Sequence, residues 1–452
     1  MEKEGRKTGD QGQLPLNLEE LRRIVEKHFI VFEAYTELDG SPTFILPSAQ
    51  ETKVPFQKLI EDLRRYNLLA LLRKAERVPQ RYQIFANYGP LEKGEAELVL
   101  RIFPNLEPQK TRSVLINVAL LIATTITISY LGFSIAQSYD YTILFYQNFI
   151  LYMWNLYGNP LILISSFIGN VWNGYIDPTL LMVTFTVSLL AIVGLHEMGH
   201  YVTTRLRGQK ASLPYFIPMP PLPGFINIGT FGAVIVQRTP IINRDRLFEL
   251  GLMGPLTGFI VTLIALVASI NLYPLIYPPI IYYLASTDLH IISTYGYIFY
   301  YGITYYGYPS VLPLLLSGNS SQFPLLFVTL MSLFRQTPPL TIMPLYPLSW
   351  AVWIGMLLTS LNMFPIGMLD GGHMARAFLS QRQSRIASFI AALAMIIISP
   401  NYLPMAILFL LLTGRGHPGA LDDASPIARW KIAVWASMII IAALTIPLLG
   451  WG

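Results

Sequence analysis

The stretch "HEMGH" at residues 196–200 sets two imidazoles and a carboxylate within one helical turn of each other. On a helix, His196 and His200 stand at i and i+4 and share a face. Both ring nitrogens can then reach one metal ion. Glu197, beside them, can take a proton from a water that the ion activates. The residues before the motif, "SLLAIVGL", look built for lipid. Ionisable groups at the centre of a span cost roughly 2.5–3.5 kcal/mol each, so three within five residues call for a compensating partner, and a divalent cation is one. Two other readings stay open on the motif alone. So short a motif also arises by chance, and two histidines with a glutamate can form a purely structural hydrogen-bond network.

A hydrolytic zinc site needs a third protein ligand and an open position. The chain has no cysteine, so that ligand must be His, Asp or Glu. One candidate stands in "SLNMFPIGMLDGGHMAR", where Asp370 follows an apolar stretch that begins at Leu345. Pro365 breaks the helix just past Phe364. Gly371 and Gly372 let two backbones approach closely. An acid after a helix break at membrane depth suits irregular backbone lining a cavity. An Asp–Gly–Gly turn at the membrane surface is the competing reading.

The pair "HEMGH" (196–200) and "NMFPIGMLDGG" (362–372) resembles the site-2 protease family of intramembrane metalloproteases. The resemblance implies one zinc ion per chain, held by His196, His200 and Asp370, with Glu197 as general base. It implies that Asn362 helps hold the substrate or its developing oxyanion. The family core is expected over about residues 179–375. "GPLTG" at 254–258 resembles the family's small-residue motif on the span between the two catalytic ones; read from the residues, Gly254, Pro255 and Gly258 mark close helix packing. No PDZ-like insertion lies between the catalytic spans. "GHPGALDDASP" at 416–426, with the N-terminal region, resembles the branch found in plastids and in many archaea and bacteria.

The elements that must position these residues are transmembrane helices. Of 452 residues, 53% are hydrophobic and 13% charged, about half the charge of an ordinary soluble domain. The apolar residues come in blocks, and blocks of about 20 read as spans. We expect a polytopic α-helical membrane protein of about 6–8 spans. Spans are expected at 113–136, 179–204, 247–270, 345–364 and 431–449. A hairpin of two short helices is expected at 385–413. The stretches 145–170, 324–335 and 385–413 leave the number of spans open. "FINIGTFGAVIVQ" (225–237) reads as a strand or hairpin, either a re-entrant edge that holds an extended substrate or an interfacial loop.

Residues 1–13 read as a disordered tail with no apolar run behind them, which argues against a cleaved signal peptide. Residues 14–112 read as a small soluble α/β domain, and 113–452 as the membrane protease domain. "NLEELRRIVEKHF" has helical spacing, "IVFEAYTEL" and "PTFILP" flank a turn, and "RYQIFANY" and "AELVLRIFP" read as strands.

The net charge of +5 is explained by Lys and Arg on cytoplasmic loops rather than by a nucleic-acid partner. "RLRGQK", "RTPIINRDR" and "ARAFLSQRQSR" are basic, whereas 137–178 and 271–334 hold neither Lys nor Arg. The first set is expected on the cytoplasmic side of a cell membrane, together with the N-terminal domain, and the second set outside. Arg335 fits poorly. His28, His290, His373 and His417 show no ligand-spaced partner, and none is assigned a metal role. The expected substrate is a single-span membrane protein. Two rival classes are a metal or ion transporter and a non-proteolytic scaffold on the same fold. An intact Glu197 and Asp370, and the lack of a visible inverted repeat, tell against them.

Overall fold

The structure, a computed structural model, describes residues 14–74, 98–105, 114–157, 177–221, 227–276, 324–327, 329–330, 347–367, 369–413 and 417–447, without side chains at 138–157, 272–276 and 412–413. The expected strand "RYQIFANY", His290, Arg335 and nearly all of the Tyr-rich stretch 271–323 lie outside these residues.

The N-terminal region forms a small sheet packed under two helices. Helix α1 (Leu18–Glu26) starts at a capping box: the Asn17 side chain accepts from the Glu20 amide, and the Glu20 side chain accepts from the Asn17 amide, both at 2.9 Å. Strands β1 (Glu33–Thr36) and β2 (Pro42–Leu46) form the expected hairpin. Helix α2 (Lys53–Arg64) runs through a turn into β3 (Leu68–Lys74), and β4 (Leu98–Pro104) pairs with both β2 and β3. The sheet order is β1-β2-β4-β3, with antiparallel neighbours. Its core joins Leu21, Val25, Phe56, Leu59, Leu63 and Leu100 to Ile242, Leu421 and Ala424, which come from far along the chain.

The rest is mostly helical. Helix α3 (Val114–Tyr157) outruns the span expected to end at Ala136. The reason is legible afterwards: no Pro or Gly occurs between Gln137 and Tyr157, so nothing stops the helix despite its polar and aromatic residues. Helix α4 (Pro178–Leu206) carries the HExxH motif and is capped by Asp177, whose carboxylate accepts from the Thr179 amide at 2.8 Å. Strands β5 (Tyr215–Pro218) and β6 (Thr230–Val234) form an antiparallel hairpin, irregular between Phe216 and Pro218. Helix α5 (Arg244–Ile276) lies against α4. Then come α6 (Pro347–Met363), α7 (Asp370–Phe378), α8 (Gln381–Ile398), α9 (Leu403–Thr413) and α10 (Trp430–Thr445). Among the described residues, three helices are long and apolar enough to cross a membrane: Val114–Gln137, Pro178–Leu206 and Arg244–Asn271. Helices α8 and α9 form the expected hairpin, joined through the turn at Pro400–Tyr402.

Helix α6 is apolar all round and nearly wholly buried, as a helix enclosed by its neighbours must be. Trp350, Ala351, Ile354 and Leu357 join Phe185, Leu189 and Val193 of α4 in one core. This packing sets α4, α5 and α6 side by side and brings their polar positions together.

Candidate metal centre

His196, Glu197 and His200 are all buried on α4, with one donor atom from each within 4.8 Å of the others. Asp370 arrives at the start of α7, after α6 has ended at Met363 and the chain has turned through Pro365. Its Oδ2 lies 3.1 Å from His196 Nε2, and its Oδ1 lies 3.2 Å from His200 Nε2. The two Nε2 atoms are 3.3 Å apart. The site therefore unites both motifs, 174 residues apart in the chain at His196 and Asp370.

The protonation of His200 follows from its other nitrogen. Nδ1 lies 2.8 Å from the carbonyl of Leu250, an acceptor only, so Nδ1 carries the proton. Nε2 then presents a lone pair toward His196 and Asp370. A carbonyl that orients the far nitrogen of an imidazole is the usual support of a metal-ligating histidine. A zinc ion with ligands at about 2.0–2.1 Å in a tetrahedron holds its donors about 3.3 Å apart. The donor set here, two imidazole nitrogens and a carboxylate at that mutual spacing, fits the ion.

Helix α5 makes room for the imidazoles. A Cβ on Gly254 would fall on the ring of His200, and one on Gly258 would stand 3.0 Å from His196 Nδ1. The "GPLTG" pattern thus does more than bring helices together: each of its glycines faces one imidazole of the site. Pro255 lies between them on the same helix. Gly251, one turn earlier, lies under the backbone of Asp370 and the Cβ of His373.

Asn362 sits near the end of α6, its Nδ2 3.4 Å from His196 Nε2. Glu197 has a backbone neighbour that the sequence did not signal: the amide of Ile235, just past β6, lies beside its carboxylate. The hairpin β5–β6 is fixed beside α3, since Thr127 Oγ1 donates to the Gly229 carbonyl at 2.7 Å and Asn117 Nδ2 to the Pro214 carbonyl at 2.8 Å.

Two of the remaining histidines correct the sequence reading. His373 is not a surface residue without a partner. Its Nδ1 lies 2.6 Å from Nε2 of His417, which is itself buried. His417 Nδ1 accepts from the Gly419 amide at 2.9 Å, so its Nε2 bears the proton and donates to His373. Burial pushes the His417 imidazole down to about 3, which keeps it neutral. His28, in the turn after α1, pairs with Asp62 at 2.8 Å and is partly buried.

Comparison with known proteins bears on the same segment. Residues 184–400 match the model of peptidase family M50. The chain is 23% identical over 261 residues to "Probable zinc metalloprotease EGY1, chloroplastic" of Arabidopsis thaliana, covering 57% of this chain and 41% of that protein. It is 29% identical over 204 residues to "Probable zinc metalloprotease EGY2, chloroplastic" of Oryza sativa subsp. indica, covering 45% of this chain and 30% of that protein. The matched part thus spans well under half the length of these relatives. No solved structure matches the chain at a significant level. Residues 184–400 contain every member of the site, from His196 to Asp370, so the segment that is similar to peptidase family M50 is the one that builds the candidate metal centre.

Proposed function

We propose that the chain is an intramembrane zinc metalloprotease that hydrolyses a peptide bond within or near a transmembrane segment of another membrane protein. One observation carries this reading. Two imidazole nitrogens and a carboxylate converge at 3.1 to 3.3 Å, with Glu197 beside them in an apolar helix. The names of the relatives, zinc metalloproteases, agree with it.

His196, His200 and Asp370 would hold the ion, the three protein ligands that a hydrolytic zinc site needs. Bound there, zinc supplies Lewis acidity to the attacking water and the scissile carbonyl. Glu197 takes the proton of that water and later gives it to the leaving amine. Asn362 offers its side-chain N–H to the oxygen on which negative charge builds. The Leu250 carbonyl keeps His200 in the tautomer that leaves Nε2 free. A helical peptide bond is shielded by its own hydrogen bonds, so the substrate must be locally extended at the site. The edge of β6, close to Glu197, is suited to hold such a stretch by strand addition.

The placement in the cell follows from charge. The basic loops and the N-terminal domain face the cytoplasm, the Lys- and Arg-free stretches face outward, and the protein crosses a cell membrane about 6–8 times. Residues 14–112 form the soluble domain and 113–452 the protease domain, with a single-span membrane protein as substrate.

The test is cleavage of a model single-span peptide by purified protein in detergent, with bound zinc assayed. Wild type is expected to cut, and chelation to stop it. Glu197→Gln is expected to keep zinc and lose cleavage. Zinc bound without cleavage of any of a range of spans would favour a scaffold. Absence of zinc under metal-replete conditions would remove the site assignment.

A further inference from the structure

The family match ends at residue 400, yet the chain beyond it returns to the site. Residues 417–425 form a strap between the N-terminal sheet and α7. On one side the Leu72 amide donates to the Leu421 carbonyl at 2.9 Å, and the Asp423 amide to the Leu72 carbonyl at 3.1 Å. On the other side the amides of Leu421 and Asp422 donate to the carbonyls of Ile241 and Ile242, both at 2.8 Å. The strap is thus a short parallel extension of the N-terminal sheet, wedged between β3 and the residues that lead into α5.

Side chains fix it there. Arg73 of β3 donates from Nη1 to the carbonyls of Ala420 and Leu421 at 2.8 and 2.9 Å. Thr52, at the start of α2, shares a hydrogen bond of 2.7 Å with Ser425. These contacts tie the strap to the N-terminal domain.

The strap then grips α7 at two points. Arg376 is almost wholly buried and makes a two-pronged pair with Asp423, Nη1 to Oδ1 at 3.0 Å and Nη2 to Oδ2 at 2.5 Å. Such fork-to-fork pairs fix direction as well as distance. Gly419, at φ +80°, leaves the space against which that guanidinium lies. The second grip is the His417–His373 bond of 2.6 Å. Helix α7 is nine residues long and begins at Asp370, so His373 and Arg376 lie one and two turns behind the carboxylate. A helix so short has little rigidity of its own. A change of about 1 Å at Asp370 would open the donor triangle described above.

We propose that the strap is a positioning element for the metal centre: Asp423 and His417 hold α7, and through it Asp370, in register with His196 and His200, and the N-terminal domain braces the strap through Arg73. The proposal rests on the reading of Asp370 as a metal ligand. Outer partners of metal ligands are worth about 10- to 100-fold in metal affinity, which sets the size of the effect.

The experiment is a Co(II) titration of the full chain in detergent, followed by the visible absorption of the bound ion, with helix content and melting temperature recorded for each variant. Asp370→Ala serves as reference and is expected to lose the visible bands of wild type. Asp423→Asn and His417→Ala are expected to weaken Co(II) binding by about tenfold and to shift the bands, with helix content unchanged. Asp423→Glu, which keeps a carboxylate for Arg376, is expected to recover most of the affinity. Arg73→Ala removes hydrogen bonds to the strap and none to α7 among the described residues, and is expected to weaken binding by about threefold in the same direction. If Asp423→Asn does not fold, His417→Ala and Arg73→Ala decide alone. Wild-type affinity and spectrum in the folded strap variants, with loss in Asp370→Ala, would overturn the proposal and leave the ligand assignment intact. Wild-type binding by Asp370→Ala would overturn both.

Discussion

Gly254 faces the ring of His200 with no space between them for a methyl group. Helix propensity alone favours alanine over glycine by about 1 kcal/mol inside a helix. The overlap with the His200 ring reverses that sign. Gly254→Ala is expected to displace His200, break its bond to the Leu250 carbonyl and lower metal affinity by at least about tenfold. Gly258→Ala meets His196 Nδ1 at 3.0 Å and is expected to cost less. Gly194→Ala lies on α4 with its nearest neighbour, Phe216, at 3.6 Å, and is expected to keep wild-type binding. Metal content after dialysis against a graded chelator orders the three. Equal retention in Gly254→Ala and Gly194→Ala would contradict the packing argument.

Asn362 stands within 3.4 Å of His196 Nε2 but is no part of the donor triangle. A residue that acts on developing charge separates turnover from binding. Asn362→Ala is expected to lower kcat by about 10²-fold, the usual cost of one oxyanion donor. KM and zinc content are expected to stay within about twofold of wild type, since the ground state and the ligands are untouched. Steady-state cleavage of a model span, with zinc assayed beside it, checks this. Loss of zinc together with activity would make Asn362 a support of His196 instead.

The candidate metal centre was readable in the sequence because its members are side chains at fixed spacing, which the structure brings together. His196 and His200 announce a shared helical face, and Asp370 announces itself as an acid after a helix break. The supports of these residues were not readable. The Leu250 carbonyl that sets the tautomer of His200 is a group every residue carries. The Ile235 amide that reaches Glu197 is equally anonymous. The His373–His417 bond spans 44 residues with no periodicity to suggest it. The two catalytic spans were placed within a few residues, because their apolar blocks end at charges and at Pro365. The length of α3 was missed, although its lack of Pro and Gly past Ala136 was a usable sign. In the N-terminal fold α1 and strands β1, β2 and β4 were legible, whereas the expected strand "RYQIFANY" lies outside the described residues. The dependence of the sheet on Leu421 and Ile242 was not legible, since pairing between distant segments leaves no local mark.

Lys431 is buried at the start of α10 and holds two carboxylates of α5, Asp245 at 2.8 Å and Glu249 at 3.0 Å. Each acid has a second partner: Lys53 of the N-terminal domain pairs with Asp245, and Arg207 with Glu249 at 2.6 Å. Removing the buried ammonium therefore leaves neither carboxylate wholly unpaired. Lys431→Met is expected to destabilise the protein by about 1–3 kcal/mol, below the range for a stranded buried charge. The double variant Lys431→Met/Lys53→Met leaves Asp245 with only the Ala428 amide, at 3.3 Å, in place of its two lysines, and is expected to cost more than the sum of the two singles. Thermal unfolding in detergent measures the series. Strict additivity would show that Asp245 does not link the two lysines.

The N-terminal sheet borrows part of its core from the rest of the chain. Ile242, Leu421 and Ala424 are buried among Leu69, Leu72 and the residues of α2. Cut out as residues 14–112, the domain would lose all three. Burying an Ile or Leu side chain is worth about 1.5–3 kcal/mol, and a domain of this size has only about 5–10 kcal/mol in all. The edge of β3 would also lose the backbone bonds it makes with Leu421 and Asp423. The isolated fragment is therefore expected to melt broadly and to bind a hydrophobic dye. Adding a synthetic peptide of residues 417–428 is expected to sharpen the melt and raise its midpoint, because the peptide binds the folded form alone. The same peptide carrying Leu421→Ser is expected to do neither. A fragment that melts sharply and ignores the peptide would show that the sheet is complete without the strap, and that the strap rests on the domain without contributing to it.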